Sequence, residues 1–183
     1  MGHDGGGPEL IMGKAKSQSA AVTVGSAAPD FTAPDQHGHQ LSLSQFRGQV
    51  VVLYFYPKDD TPGCTKEACG FRDQHEALQQ AGAVVLGVST DSPASHQKFA
   101  RKYNLPFSLL ADEGRHLVKA YGVWGKKKFM GREYEGTHRV TFLIGPDGVV
   151  RQVWQDVKPA EHAAEVLAAV QQLQAESRPA RAG

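Results

Sequence analysis

Residues 50–69 read Val-Val-Val-Leu-Tyr-Phe-Tyr-Pro-Lys-Asp-Asp-Thr-Pro-Gly-Cys-Thr-Lys-Glu-Ala-Cys. The stretch from Val50 to Tyr56 is a continuous apolar run, rich in β-branched and aromatic residues. That is the pattern of a strand covered on both faces. Pro57 and Pro62-Gly63 interrupt the chain, and a helical pattern begins near Cys64 and runs to Ala81, where Gly82 ends it. Both cysteines of the protein, Cys64 and Cys69, fall in this stretch. The first amides of a helix lack internal partners, and the helix dipole places partial positive charge there. Both features favour an anionic sulfur, the nucleophilic form of cysteine.

Cys64 lies on an apolar stripe with Ala68, Phe71, His75 and Leu78, which predicts a half-buried pocket facing the core. Cys69 is five residues on, roughly 140° around the helix and off that stripe. Cα atoms at that separation are roughly 8–9 Å apart in a helix, whereas a disulfide needs about 7 Å or less. A bond between the two sulfurs therefore requires the first turns of the helix to unwind.

Pro57-x-x-x-Thr61-x-x-Cys64, followed by Thr65-Lys66-Glu67-Ala68-Cys69, resembles the peroxiredoxin active-site pattern. The second cysteine five residues on resembles the bacterioferritin-comigratory, or Q-type, subgroup. The resemblance runs from about Val24 to the last helix. It takes in Asp30-Phe31, Ser89-Thr90-Asp91, Tyr121 to Gly125 and Arg139 to Ile144. It implies a thioredoxin-like fold and a thiol peroxidase acting on hydrogen peroxide and alkyl hydroperoxides. Cys64 would be the peroxidatic thiol. Arg139, which opens an otherwise apolar strand, would be its cationic partner; the plain alternative is a strand-edge charge reaching solvent. Thr61 would hydrogen-bond the peroxide, or merely stabilise a turn. Pro57 would shield the thiolate pocket while also ending the strand. Cys69 would resolve the sulfenic acid as an intramolecular disulfide, with thioredoxin or a similar dithiol as reductant. Gly63 and Glu67 are further candidates; Glu67 would orient Arg139, or else be an exposed helix carboxylate.

The bulk properties are consistent with this. The chain has 183 residues, enough for one domain with a sizeable core, and a formal net charge of +1. No long run of one sign favours nucleic acid or an anionic membrane as partner. Lys126-Lys127-Lys128 is the only basic cluster and reads as a solvated loop. Two cysteines are too few for a secreted disulfide scaffold, or for a four-ligand zinc site without two well-placed histidines. His37 and His39, the closest pair, sit around Gly38 in a turn. Neither metal nor cofactor is expected. No apolar segment approaches the roughly 20 residues of a membrane span, and a cytoplasmic location is expected. A monomer is expected, with a dimer as the alternative.

In order, residues 1–23 read as a disordered leader or expression remnant. Residues 24–176 read as the single domain and 177–183 as a flexible tail. Phe31 to Leu43 predicts a hairpin, then come the strand at Val50 and the cysteine helix. Val84–Val88 is a second buried strand. Ser92-Pro93 opens a helix to about Asn104. Phe107–Leu110 is a short strand and Gly114–Tyr121 a short helix. Gly122–Gly136 is a glycine-rich, cationic excursion whose Trp124, Phe129 and Tyr134 are expected to pack beneath the loop. Pro146-Asp147-Gly148 joins strands Val140–Ile144 and Val149–Trp154. An amphipathic helix covers Glu161–Gln174. Strands joined by helices must be largely parallel and the late hairpin antiparallel. The result is an α/β fold: a central mixed sheet, helices on both faces and an N-terminal β-hairpin. Besides a peroxidase, two further readings stand: a disulfide oxidoreductase acting on proteins, though the usual C-x-x-C spacing is absent, and a non-enzymatic binding module.

Overall fold

The computed structural model describes residues 22–177; most of the predicted leader and tail lie outside the described residues. Strand β3 (Val50–Phe55) is buried at every position, as its unbroken apolar run demands. It sits at the centre of a five-stranded sheet in the order β5-β4-β3-β8-β9. Strands β4 (Ala83–Ser89) and β5 (Ser108–Ala111) run parallel to it. Strand β8 (Val140–Ile144) runs antiparallel to β3, and β9 (Val150–Trp154) runs antiparallel to β8. The N-terminal hairpin pairs β1 (Thr32–Pro34) with β2 (Gln40–Ser42), and a short 3-10 turn at Leu43–Phe46 follows.

Alternation along β3 divides the core. Val50, Val52 and Tyr54 pack with Phe71, Leu78 and Phe99 on one face. That face carries helices α1 (Pro62–Asp73), α2 (His75–Gln80), α3 (Pro93–Tyr103) and α5 (His162–Ser177). Val51, Leu53 and Phe55 pack with Leu117, Tyr121 and Phe142 on the other, under α4 (His116–Ala120) and the N-terminal hairpin. Gly87 on β4 faces Tyr54 across the ladder. A Cβ there would come within 2.9 Å of the Tyr54 ring, so glycine is what leaves room for that ring.

The structure corrects two expectations. The helix predicted from Cys64 to Ala81 begins at Pro62 and is broken at Gln74 (φ −98°, ψ 5°). Proline suits the first helical position because its missing N–H would have no partner there. The Gln74 N–H still donates to Gly70, and its carbonyl accepts from Leu78. One residue therefore interrupts the helix with little loss of hydrogen bonding. The second correction concerns residues 122–136. They form a separate two-stranded hairpin, β6 (Trp124–Phe129) and β7 (Arg132–Thr137). Phe129 and Tyr134 are exposed on it and do not pack beneath a loop. Among the described residues the hairpin pairs only with itself, so its strands bury little. Trp124 is half-buried, with the Arg115 guanidinium 4.5 Å from its ring centroid. Among the described residues, no helix is long and apolar enough to cross a membrane.

Candidate active site

The site lies where β3 hands the chain to α1. Pro57 is half-buried just past the strand end. Thr61 caps α1 with extended backbone, and its carbonyl accepts from the Thr65 N–H. Cys64 follows in the first helical turn, 1% exposed, in one apolar cluster with Tyr54, Ala68 and Phe71. Cys69 lies on the same helix and is half-buried; both are free thiols.

Arg139 reaches the site from the residue before β8. Its Nη2 lies 3.5 Å from Cys64 Sγ, and its Nη1 donates to Glu67 Oε1 at 2.8 Å. One guanidinium thus bridges the sulfur and a carboxylate one turn further along the helix, using the planar fork that lysine lacks. Burial opposes the Arg139 charge, but the Cys64 sulfur and the Glu67 carboxylate outweigh it and hold its protonation above the ordinary arginine range. Glu67 is fully buried, not an exposed helix carboxylate. Burial pushes its carboxyl up to about 7, against the pull of Arg139. Gly63 makes the approach available: a Cβ there would sit 3.1 Å from Arg139 Nη2.

Two hydrogen-bonding groups near the ion pair are buried without partners among the described residues, Glu67 Oε2 and the Tyr54 hydroxyl. Burial, then the Glu67 and Cys64 charges, raise the Tyr54 phenol well above its usual value, so it stays neutral. The Thr61 hydroxyl donates to the Lys58 carbonyl at 2.9 Å, the turn-stabilising role. Its proton is committed, and toward a further ligand the oxygen offers only lone pairs. Arg72, two turns further along the helix from Cys64, donates to the Tyr103 carbonyl and to Asp73.

Three further features become visible only in the fold. Lys127, grouped with a solvated cluster, is half-buried and donates to the Thr137 carbonyl at 2.9 Å. Burial and the Arg139 charge lower its proton affinity, and the Cys64 sulfur partly restores it. His162, fully buried, sits edge-on to Phe71 with its Nε2 2.7 Å from Thr141 Oγ1, supporting α1 from below. Asp59, buried in the loop ahead of Thr61, accepts from the Tyr56 and Ser95 hydroxyls and lies 2.7 Å from His96 Nδ1. Asp59, Asp91 and His96 converge closely enough to suggest a metal site. Yet Asp91 Oδ2 accepts from the Asp59 N–H and the Ser89 hydroxyl, and His96 Nε2 lies 2.9 Å from the Leu110 carbonyl. Protons already engage these groups, which is the arrangement of a hydrogen-bonded clamp. Its signal was hard to see because Asp59 and His96 are 37 residues apart.

A sulfur at a helix start, bridged by arginine to a buried carboxylate, is an arrangement suited to thiol chemistry on an α/β sheet. The chain belongs to the AhpC/TSA family, whose profile matches residues 24–153. It is 53% identical over 147 residues to a putative peroxiredoxin Bcp of Coxiella burnetii, covering 80% of this chain and 97% of that one. It is 50% identical to peroxiredoxin Bcp of Escherichia coli K12, covering 77% and 90%. Among solved structures it resembles the bacterioferritin comigratory protein of Xanthomonas campestris, studied for alkyl peroxide reduction. That match has a TM-score of 0.77 and 38% identity and covers 84% and 98% of the two chains. The chain is thus a thiol peroxidase that stands with the Bcp and peroxiredoxin Q proteins.

Proposed function

We propose that this chain reduces hydrogen peroxide and alkyl hydroperoxides with Cys64 as nucleophile and Cys69 as resolving thiol. The observation that carries the reading is the Arg139 fork, 3.5 Å from Cys64 Sγ on one arm and 2.8 Å from Glu67 on the other. The Cys64 thiolate attacks one peroxide oxygen; the S–O bond forms and the O–O bond breaks. The departing alkoxide or hydroxide takes a proton and leaves as alcohol or water. Arg139 stabilises the charge that moves onto the leaving oxygen. Thr61, its proton already given to Lys58, accepts a hydrogen bond from the peroxide. Gly63 leaves room for the guanidinium, Glu67 aims it, and Pro57 shields the pocket.

The Cys69 sulfur then attacks the Cys64 sulfenic sulfur. The S–S bond forms, the S–O bond breaks, and water leaves with the thiol proton. Five-residue spacing puts the Cα atoms beyond disulfide reach while α1 is intact, so resolution requires that helix to unwind. Thioredoxin or a similar dithiol reduces the disulfide by exchange. The enzyme works as a monomer in the cytoplasm, where such a dithiol supply exists. The test is an assay with thioredoxin, its reductase and NADPH. NADPH loss that starts only with peroxide supports the reading. Insulin reduction without peroxide would instead mark a protein disulfide oxidoreductase.

A further inference from the structure

Asp59 and Asp60 are neighbours with opposite surroundings. Asp59 is buried in the clamp described above. Asp60 is exposed and holds a left-handed backbone conformation (φ 58°), a strained state that aspartate tolerates better than most residues. Its carboxylate accepts from Lys102 Nζ at 2.8 Å and from the Tyr103 hydroxyl at 2.9 Å. Those two residues form the last turn of α3, which Asn104 caps in the left-handed region. The Tyr103 carbonyl, near the helix end where intrahelical donors run out, accepts from Arg72 Nη1 at 2.9 Å. The same turn of α3 therefore holds residue 60 and residue 72. Cys64 and Cys69 lie between these two points, and the break at Gln74 follows immediately.

We propose that the Lys102–Tyr103 turn is a latch on both ends of the cysteine segment, setting how often that segment unwinds and so how fast Cys69 reaches Cys64. The inference rests on the reading of Cys69 as the resolving thiol. Its contacts suit release at every turnover. They are charge-assisted hydrogen bonds, but they lie near solvent, where such pairs are individually weak. The strained Asp60 backbone relaxes once its partners let go, so opening one end favours the unwound state. The Asp59 clamp stays closed and marks where unwinding stops on the N-terminal side. Lys102 and Tyr103 are thus positioning residues; they do not touch the reacting sulfurs.

The experiment compares the full chain with a Lys102→Met, Tyr103→Phe variant, which removes both donors to Asp60 and keeps the Tyr103 carbonyl. Amide hydrogen exchange across residues 62–73 of the reduced protein reads the latch without any peroxide chemistry. Disulfide formation after one equivalent of peroxide, followed by intact mass, reads its effect on resolution. Exchange and disulfide formation should each quicken about five-fold. Sulfinic acid at excess peroxide should fall correspondingly, and the rate of the first oxidation should not change. Asp60→Asn, which keeps a residue tolerant of that backbone, should shift both readouts in the same direction and guards against misfolding of the double variant. Unchanged exchange with an unchanged disulfide rate overturns the latch alone. Faster exchange with no Cys64–Cys69 disulfide even in the parent overturns the reading of Cys69, and with it any role of the latch in turnover.

Discussion

The inner face of α1 carries Cys64, Glu67, Ala68 and Phe71, all buried, while Cys69 and Arg72 on the outer side are only half-buried. The inner face meets a fixed wall: Arg139 beside β8, Tyr54 on β3 and His162 at the start of α5. The outer side meets a neighbouring helix end through polar contacts near solvent. On the proposed mechanism the difference assigns the two chemical steps to two states of one helix. Attack on peroxide would belong to the folded helix, where the guanidinium meets the sulfur. Resolution would belong to an unwound one, because the five-residue spacing keeps the sulfurs apart in an intact helix.

The comparison breaks most decisively at Cys64. Cys64→Ser should abolish peroxide-dependent NADPH loss while the protein stays folded by circular dichroism; surviving turnover would show that the inner face does not hold the nucleophile. Arg139→Lys keeps a charge and loses the fork. Removing a positioned donor of this kind costs on the order of 100-fold in rate, which stopped-flow measurement of the first oxidation should show. Cys69→Ser leaves the inner face intact, so the first oxidation should proceed normally and turnover with thioredoxin should then stall at sulfenic or sulfinic acid by mass. Gly63→Ala should slow the first oxidation about ten-fold, since its Cβ would press on Arg139 and small misplacements of catalytic groups are expensive.

The smallest effect is a pH dependence, and it sharpens the picture of the inner face. A carboxyl whose folded value is raised from 4.5 to about 7 binds its proton more tightly in the folded state. Its contribution to stability is therefore fully present below about 4.5 and is lost as pH rises through about 7. Glu67→Gln removes that titration and keeps an acceptor for Arg139. Chemical denaturation at several pH values should show wild type losing stability relative to this variant across that window, by at most about 3 kcal/mol. Equal slopes for the two proteins would mean that Glu67 is not held protonated by burial.

Much of the sheet could be read in advance because its signals are local. Val50–Tyr56 and Val84–Val88 are continuous apolar runs, and Pro146-Asp147-Gly148 is a turn by its own chemistry. Cys64, Thr61 and Arg139 could be named because the first two share a motif and the third is a charge at the mouth of an apolar strand. The break at Gln74 left no trace, since glutamine is an ordinary helix residue and both flanking hydrogen bonds survive. The β6–β7 hairpin was hidden by glycines and consecutive lysines that mask strand alternation. Glu67 could be placed one turn from Cys64 by spacing, but its burial depends on a partner 72 residues away. The same holds for the Asp59 clamp, whose members come from separate elements and meet only in the fold.

The Arg139–Glu67 contact joins two parts of the molecule that unwinding would drag apart. Arginine is rooted beside the sheet and stays; glutamate travels with the helix. Each opening would strand a cation in an emptied socket and carry its counter-ion into water. The vacated socket, still positive, would then draw the departed segment home once its disulfide had been cut.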